Sequence, residues 1–577
     1  MNKAKNTHRH LGKYATRVCV PSDTAIKRVP IVFRLLFLTA SIAASFCAYS
    51  GDVYAQVALG RSDLSIRAVD SISWDGAIPA SIQETLVRSA GTVKGREIDF
   101  AKAKELATTL TNQLRQAGYP LAVVLVTQQN WKRFAQDGVL TLRVFEGDVG
   151  RISIGKNTSV VSDDRLIKTV QHALCGDKSL PCVLTSSGLE RAMLLLGDLP
   201  GVQVNPSSFS SQGVAVGQTA LQINASERER RLTGGISVDN YGLSSTGMNR
   251  LGAQVQAANL FHQGDAFSIG AQTTNRGENT GVAAFSTPLG YTGLRFEGSA
   301  GTTSYSLPDV NASGRVTSYQ AGLSYPVMRA FNGNWHVSAD GFTSQSQVTV
   351  AGQSAFSPRH ISGGHWSISG NSGDRAFDLG ESYWAAQATL TTGTVSQSIS
   401  GVDTSGTLGA YQKLYASFID KHVFAHDWFV LTKVSGQWSS KNLDGSEALG
   451  IGGVTGMRAY STSEGSVNEG VMVNVDLRKA FSLANGSKII PGAFFDYMNG
   501  RILHSPYPNW QTQLGYSNPT LSNHRALSDV GLGVDWVASH GLTAGLSVAW
   551  RTPWSERPLS GTGSAQTRVY FTLGVKF

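Results

Sequence analysis

The last strand-length segment of the chain alternates without a break. Val569, Phe571, Leu573, Val575 and Phe577 fall on one side, and Arg568, Tyr570, Thr572 and Lys576 on the other. A period of two marks a β-strand with two unlike faces. The pattern extends upstream: Leu542, Ala544, Leu546, Val548 and Trp550 alternate with Thr543, Gly545, Ser547 and Ala549. Val530, Leu532, Val534 and Trp536 alternate in the same way with Gly531, Gly533 and Asp535. Beyond the charged stretch Glu227–Arg231 helical periodicity vanishes, and short alternating segments with Gly, Asn and Ser turns run to the end. Such a tract builds either a soluble sandwich or a transmembrane β-barrel with one face toward lipid and one toward a wet lumen. The free aromatic terminus favours the barrel, because an apolar alternation ending on Phe577 is the assembly signal expected of an outer-membrane barrel. Residues 231–577 number 347, and at roughly 20 residues per strand and turn they make an antiparallel barrel of about 16 strands.

A helical membrane protein is excluded. No apolar run after the first fifty residues approaches the roughly 20 residues of a spanning helix. The net charge of +9 is concentrated at the front: residues 1–55 hold eight Lys and Arg against Asp23 and Asp52, six of the nine net charges. That distribution argues against a nucleic-acid partner. The basic stretch, an apolar core from Leu35 to Cys47 and small residues near Val53-Tyr54-Ala55 have the order of a secretory signal peptide cleaved after Ala55. A signal anchor is the alternative, although the apolar core is short for a span. Residues 56–67 then form a short N-terminal segment. With Cys19 and Cys47 in the leader, Cys175 and Cys182 remain, and in an oxidising compartment they read as a disulfide. A metal pair would lack His or further Cys nearby.

Between Ile66 and Asn224 the pattern is α+β. Asp99 reads as the N-cap of a helix with Leu106, Leu110 and Leu114 on one face and Gly118 closing it. An extended run from Ala122 to Thr127 follows, then a turn at Asp137-Gly138 and a strand through Leu140, Leu142 and Val144. The order returns with a strand at Ile152 and Ile154, a helix over 162–173, and a helix over 187–199 with Leu189, Met193 and Leu196 inward. Strands at Val202–Val204 and Ala220–Asn224 complete it. Two units in series, at 68–149 and 150–226, fit this repetition. A single two-layer α/β domain is the alternative.

The motifs along these units resemble a family. Gln116-Ala117-Gly118-Tyr119-Pro120, Asp137-Gly138-Val139 and Val144-Phe145-Glu146-Gly147 resemble a first POTRA (polypeptide-transport-associated) domain. Leu189-Glu190-Arg191 and Leu199-Pro200-Gly201-Val202 resemble a second, and Val238-Asp239-Asn240-Tyr241-Gly242 a barrel entry strand over 227–577. Gly456-Met457-Arg458-Ala459-Tyr460, with Glu464-Gly465, Glu469-Gly470 and Asp476-Leu477-Arg478, is similar to the lumen-folded hairpin of the barrel-assembly superfamily. In this order they resemble the two-partner secretion (TpsB-class) outer-membrane transporters that export haemolysins and haemagglutinins. The resemblance implies two periplasmic POTRA domains before the barrel and a hairpin near 450–470 inside it. It also implies that Arg458 and Tyr460 at the tip meet Asp496 of Phe494-Phe495-Asp496 on the barrel wall. Ala459 and Ser461 depart from the commoner Gly and Pro of that tip. Residues 56–67 are too few for the plug helix and linker of some members.

Nothing in the chain points to catalysis. G-x-S-x-G, H-E-x-x-H and Walker-type loops are absent, and no cofactor is implied. His360 and His365 lie on a Gly-rich segment expected outside the cell, a poor metal site. The implied partners are a large exoprotein with an N-terminal secretion domain (adhesin, cytolysin or contact-dependent toxin), outer-membrane lipids, and the barrel-assembly machinery during biogenesis. A barrel insertase of the same superfamily and a diffusion porin are the rival readings. The insertase is expected to carry three or more POTRA units, and the porin none.

Overall fold

The computed structural model describes residues 66–227, 230–307, 311–350, 353–354, 358–373, 380–398, 403–425, 427–516, 518–559 and 566–577. The expected leader, and all but the last two residues of the segment after it, lie outside the described residues.

The first unit contains β1 (Arg67–Ala68), β2 (Ser71–Asp75), α1 (Gln83–Gly91), β3 (Glu97–Ile98), α2 (Phe100–Gln116), β4 (Val123–Leu125), α3 (Gln128–Asp137) and β5 (Val139–Phe145). Asp99 caps α2 by accepting from the Lys102 N–H at 2.8 Å, which satisfies one of the orphan donors of a helix start. Leu106, Leu110 and Leu114 are buried against Leu140, Leu142 and Val144. Helix α3 is absent from the sequence expectation. Its only strong apolar residues, Trp131 and Phe134, are too few to show a helical period, yet Thr127 caps its start and both rings are buried. Asp137-Gly138 is therefore not a hairpin turn: Gly138, at φ +73°, is the left-handed C-cap of α3. Strand β5 pairs in parallel with β2 and antiparallel with β4.

The second unit contains β6 (Asp148–Asn157), α4 (Asp163–Cys175), β7 (Cys182–Val183), α5 (Ser186–Gly197), β8 (Val202–Ser210) and β9 (Gln218–Glu227), with sheet order β7-β6-β9-β8. The joint falls at Glu146-Gly147, so β6 belongs wholly to this unit. Of the three residues expected to face inward on helix α5, Leu196 is buried and Leu189 and Met193 pack half-buried against the domain core. Ala192 and Leu196 enter the domain core while Leu194 and Leu195 are also covered. Leu195 points at the barrel: a Cβ on Gly293 would lie 2.8 Å from its Cδ2. A helix packed between two bodies needs apolar residues on two faces.

From Leu232 to Lys576, sixteen long strands among the described residues pair antiparallel with their sequence neighbours and close into a barrel. The first strand (Leu232–Asp239) meets the last (Thr567–Lys576) from Gly235 opposite Lys576 to Asp239 opposite Thr572. Phe577 extends this seam: its backbone exchanges two 3.0 Å hydrogen bonds with Gly234. Its ring crowds Gly234, where a Cβ would come within 2.7 Å of Cζ. Val569, Phe571, Leu573, Val575 and Phe577 are all exposed, as are Leu546, Trp550, Val530 and Leu532. An exposed apolar face on every such strand is the lipid-facing band of a membrane barrel. None of the described helices is long and apolar enough to cross a bilayer.

His360 and His365 are not on an external loop. They lie in the eighth barrel strand (Arg359–Asn371), where His365 Nδ1 is 2.7 Å from Asp340 Oδ2 inside the lumen. Glycine-rich sequence reads as loop, but here it allows close strand approach: a Cβ on Gly363 would stand 2.2 Å from the Thr392 carbonyl oxygen.

Candidate functional site: a hairpin seated in the barrel lumen

Residues 440–468 connect the eleventh strand (Trp428–Ser439) to the twelfth (Glu469–Lys479). They do not project away from the barrel. A short ladder, Leu449–Gly450 against Ser466–Val467, supports a tip whose Met457, Ala459 and Tyr460 are buried with Met472, Phe494, Met498, Leu527 and Ala549 of the wall. Strand parity places the wall residues. Phe495, Tyr497 and Val530 face lipid and are exposed, so Phe494, Asp496 and Asp529 must face inward.

Arg458 meets two carboxylates. Its Nε and Nη2 donate to Asp496 at 2.8 and 2.6 Å, and its Nη1 and Nη2 donate to Asp476 at 3.0 and 3.1 Å. Its guanidinium carbon sits 3.5 Å from the centroid of the Phe494 ring. Asn474 donates both to Asp496 and to the Gly456 carbonyl, 2.9 Å each. The Ala459 N–H donates to Asp529 at 3.1 Å. Arg478 joins Asp476 at 2.9 Å and also pairs with Asp535. Two planar forks and a ring face define one orientation for the guanidinium, which a single ammonium cannot reproduce.

Tyr460 is fully buried. Its hydroxyl contacts Ser555 and donates to the Glu556 carbonyl at 2.7 Å, while Tyr570 donates to the Tyr460 carbonyl at 3.1 Å. A second ion cluster holds the hairpin farther on: Glu464 lies 3.2 Å from Arg525, both at zero exposure, and Arg525 is 2.9 Å from Glu556. Nearer the outer end, Glu447 pairs with Lys413 at 2.7 Å, Asp444 pairs with Arg359, and Leu443 packs on Ile361, Val395 and Tyr411. The sequence places Glu464 and Asp476 in the hairpin motifs without giving them a partner, and Asp529 and Arg525 lie outside those motifs. For Asp476 and Asp529 the signal is present in parity, since each sits among inward positions of an alternating strand.

The other named residues lie elsewhere. Cys175 and Cys182 are joined by a disulfide that ties the end of α4 to β7, and Phe577 lies at the barrel seam. Among the described residues no group of three or more His, Cys, Asp or Glu is placed to hold a metal ion.

A sixteen-stranded barrel with two small α+β domains before it and an Arg-bearing hairpin in its lumen defines an outer-membrane transporter of the barrel-assembly superfamily. Residues 217–518, more than half of the chain, match the family described as haemolysin secretion/activation protein ShlB/FhaC/HecB, and residues 68–147 match the POTRA domain, ShlB-type. The chain belongs to this family. It is an outer-membrane transporter that exports a large exoprotein through its barrel, aided by POTRA domains oriented toward the periplasm. The family is associated with secreted exoproteins of the TpsA type. The chain is 24% identical over 473 residues to the heme/hemopexin transporter protein HuxB of Haemophilus influenzae, covering 79% of this chain and 78% of that one. Its fold is similar to CdiB from Escherichia coli (TM-score 0.67, 17% identity, 91% and 93% of the two chains covered). CdiB from Acinetobacter baumannii is also similar (TM-score 0.63, 14% identity, 94% and 98% covered).

Proposed function

We propose that the two periplasmic units, divided at Glu146-Gly147 within 68–226, capture an unfolded exoprotein as it emerges in the periplasm, and that the barrel of 227–577 passes it outward without nucleotide. Residues 1–55 act in this reading as a cleaved leader. The partner is a large exoprotein carrying its own N-terminal secretion domain. The observation that carries the mechanism is the seating of the tip on the lumen wall, where Asp496 and Asp476 hold Arg458. Bidentate, charge-assisted bonds of this kind hold the tip in one geometry against the lumen wall.

Capture is supported by edges in the periplasmic sheets. Among the described residues β2 pairs only with β5, and β8 only with β9, so each offers a free edge to an added strand. Strand addition uses main-chain hydrogen bonds and therefore tolerates varied cargo sequence. Folding of the cargo outside removes the unfolded form and opposes its return.

Co-expression with a large exoprotein of the same genome that carries an N-terminal secretion domain, followed by measurement of that exoprotein at the surface and in the medium, tests the reading. Removal of residues 66–147 is expected to abolish its export while the barrel still inserts. Undiminished export by that deletion would refute capture.

A further inference from the structure

The hairpin leaves the two halves of the lumen unlike. On the wall formed by the last six strands, inward residues such as Gln437, Met472, Asn474, Met498 and Leu527 are buried beneath residues 440–468. The opposite wall, from the second strand (Arg250–Ala258) to the seventh (Gly333–Val350), is open. Its register sets Gln256 opposite Ser268, Ser299 opposite Gln320, and Gly301 opposite Ser318. The alternate residues Leu251, Ile269 and Leu323 are exposed apolar positions on the lipid side, so these polar residues face the lumen. Gln254, Gln256, Ser318 and Gln320 are nevertheless exposed. They face open space, not the hairpin.

This open wall carries neutral groups between charged ends. Arg250, paired with Asp239 at 2.6 Å, stands at its outer end. Arg295, Glu297 and the Asp340–His365 pair stand toward the periplasmic end. Between them inward positions hold Gln, Ser, Thr, Gly and small or apolar residues. The polar contacts of the hairpin reach strands eight, ten to fourteen and sixteen, the outer loop after strand fifteen, and the first outer loop, where Ser463 Oγ is 3.3 Å from Ser244 Oγ.

We propose that the exported polypeptide runs as an extended chain along this neutral wall of strands two to seven while the hairpin tip stays seated on the opposite side. The inference rests on the export reading above and specifies its route. Side-chain amides and hydroxyls can replace water on the cargo backbone with bonds of roughly 1 kcal/mol net each. Such bonds are weak enough to be broken one at a time as the chain advances. A charged wall would instead hold segments of opposite sign, and conduction needs sites that release what they bind. Withdrawing the tip would break two buried ion clusters and leave Asp476, Asp496 and Asp529 without Arg458 or the Ala459 N–H. A route beside the seated tip avoids that barrier.

The test uses the full-length transporter and an epitope-tagged fragment bearing the secretion domain of the exoprotein used in the co-expression experiment above. Ser244→Cys with Ser463→Cys ties the hairpin to the first outer loop, and closure of the disulfide is read by thiol labelling. Export in the oxidised state within twofold of the unmodified protein is expected. A tenfold or greater loss that reductant restores overturns the proposal. Independently, a photo-reactive residue is placed singly at Gln254, Ser318, Met472 or Leu527 in an otherwise unmodified chain. Adducts with the fragment are expected at Gln254 and Ser318, and equal or stronger adducts at Met472 or Leu527 overturn the route. Failure of the unmodified transporter to export the fragment overturns the export reading itself, and the route with it.

Discussion

At the scale of single residues, Arg458 concentrates the chemistry. Its side chain satisfies two carboxylates and covers a ring, so retaining only its charge is not enough. Arg458→Lys is expected to lower export at least tenfold with barrel abundance in the outer membrane unchanged, measured by surface exoprotein against transporter immunoblot. Arg458→Ala removes the cation and leaves Asp496 buried opposite Asp529, while Asp476 keeps Arg478. Breaking a buried pair from one side costs about 3–5 kcal/mol, so the folded barrel should lose heat resistance on semi-native gels. Adding Asp496→Asn to Arg458→Ala should restore part of that resistance by removing the carboxylate left without a cation, since Asp476 keeps Arg478. Phe577 acts on the lipid-facing side of the barrel wall, where its backbone completes the seam and its ring covers Gly234. Deleting it should reduce the amount of folded barrel, read as the heat-modifiable fraction; an unchanged fraction would remove it from assembly.

At the scale of elements, the cap of α2 and the C-cap of α3 show what could be read in advance and what could not. Asp99 followed by Leu106, Leu110 and Leu114 declares a helix because cap and period agree. Asp99→Ala should destabilise α2 by about 1 kcal/mol, visible as faster amide exchange over its first turn in the full-length protein. Helix α3 carries a cap and only two large apolar residues, and its terminal Asp137-Gly138 also fits a hairpin. Only the burial of Trp131 and Phe134 against the sheet settles that ambiguity. The eighth barrel strand shows the same limit from the other side: its glycines read as loop until neighbouring strands supply the close contacts that require them.

At the scale of the whole molecule, the second periplasmic domain is clamped to the barrel. Arg329 forms a two-bonded pair with Asp198 at 2.6 and 2.8 Å, and Arg191 donates to the Pro326 carbonyl at 2.9 Å. Leu195 and Leu199 pack on the turns at Gly293 and Gly264. Arg329→Ala should broaden the distance distribution between spin labels on α4 and on the barrel rim; an unchanged distribution would show that the apolar contacts suffice. The sequence by itself determined the barrel, its approximate strand number and the periplasmic units, because alternation and capped amphipathic helices are local patterns tied to local geometry. It also brought Arg458 and Asp496 forward, through short motifs and the resemblance they carry. Tertiary structure alone decided that Arg458 takes Asp476 as a second partner, that Glu464 and Arg525 form another buried cluster, and that one half of the lumen stays open. Parity tells which side of a strand a residue faces, but not which distant strand stands across from it. That is decided only when the barrel closes and 440–468 folds back into its lumen.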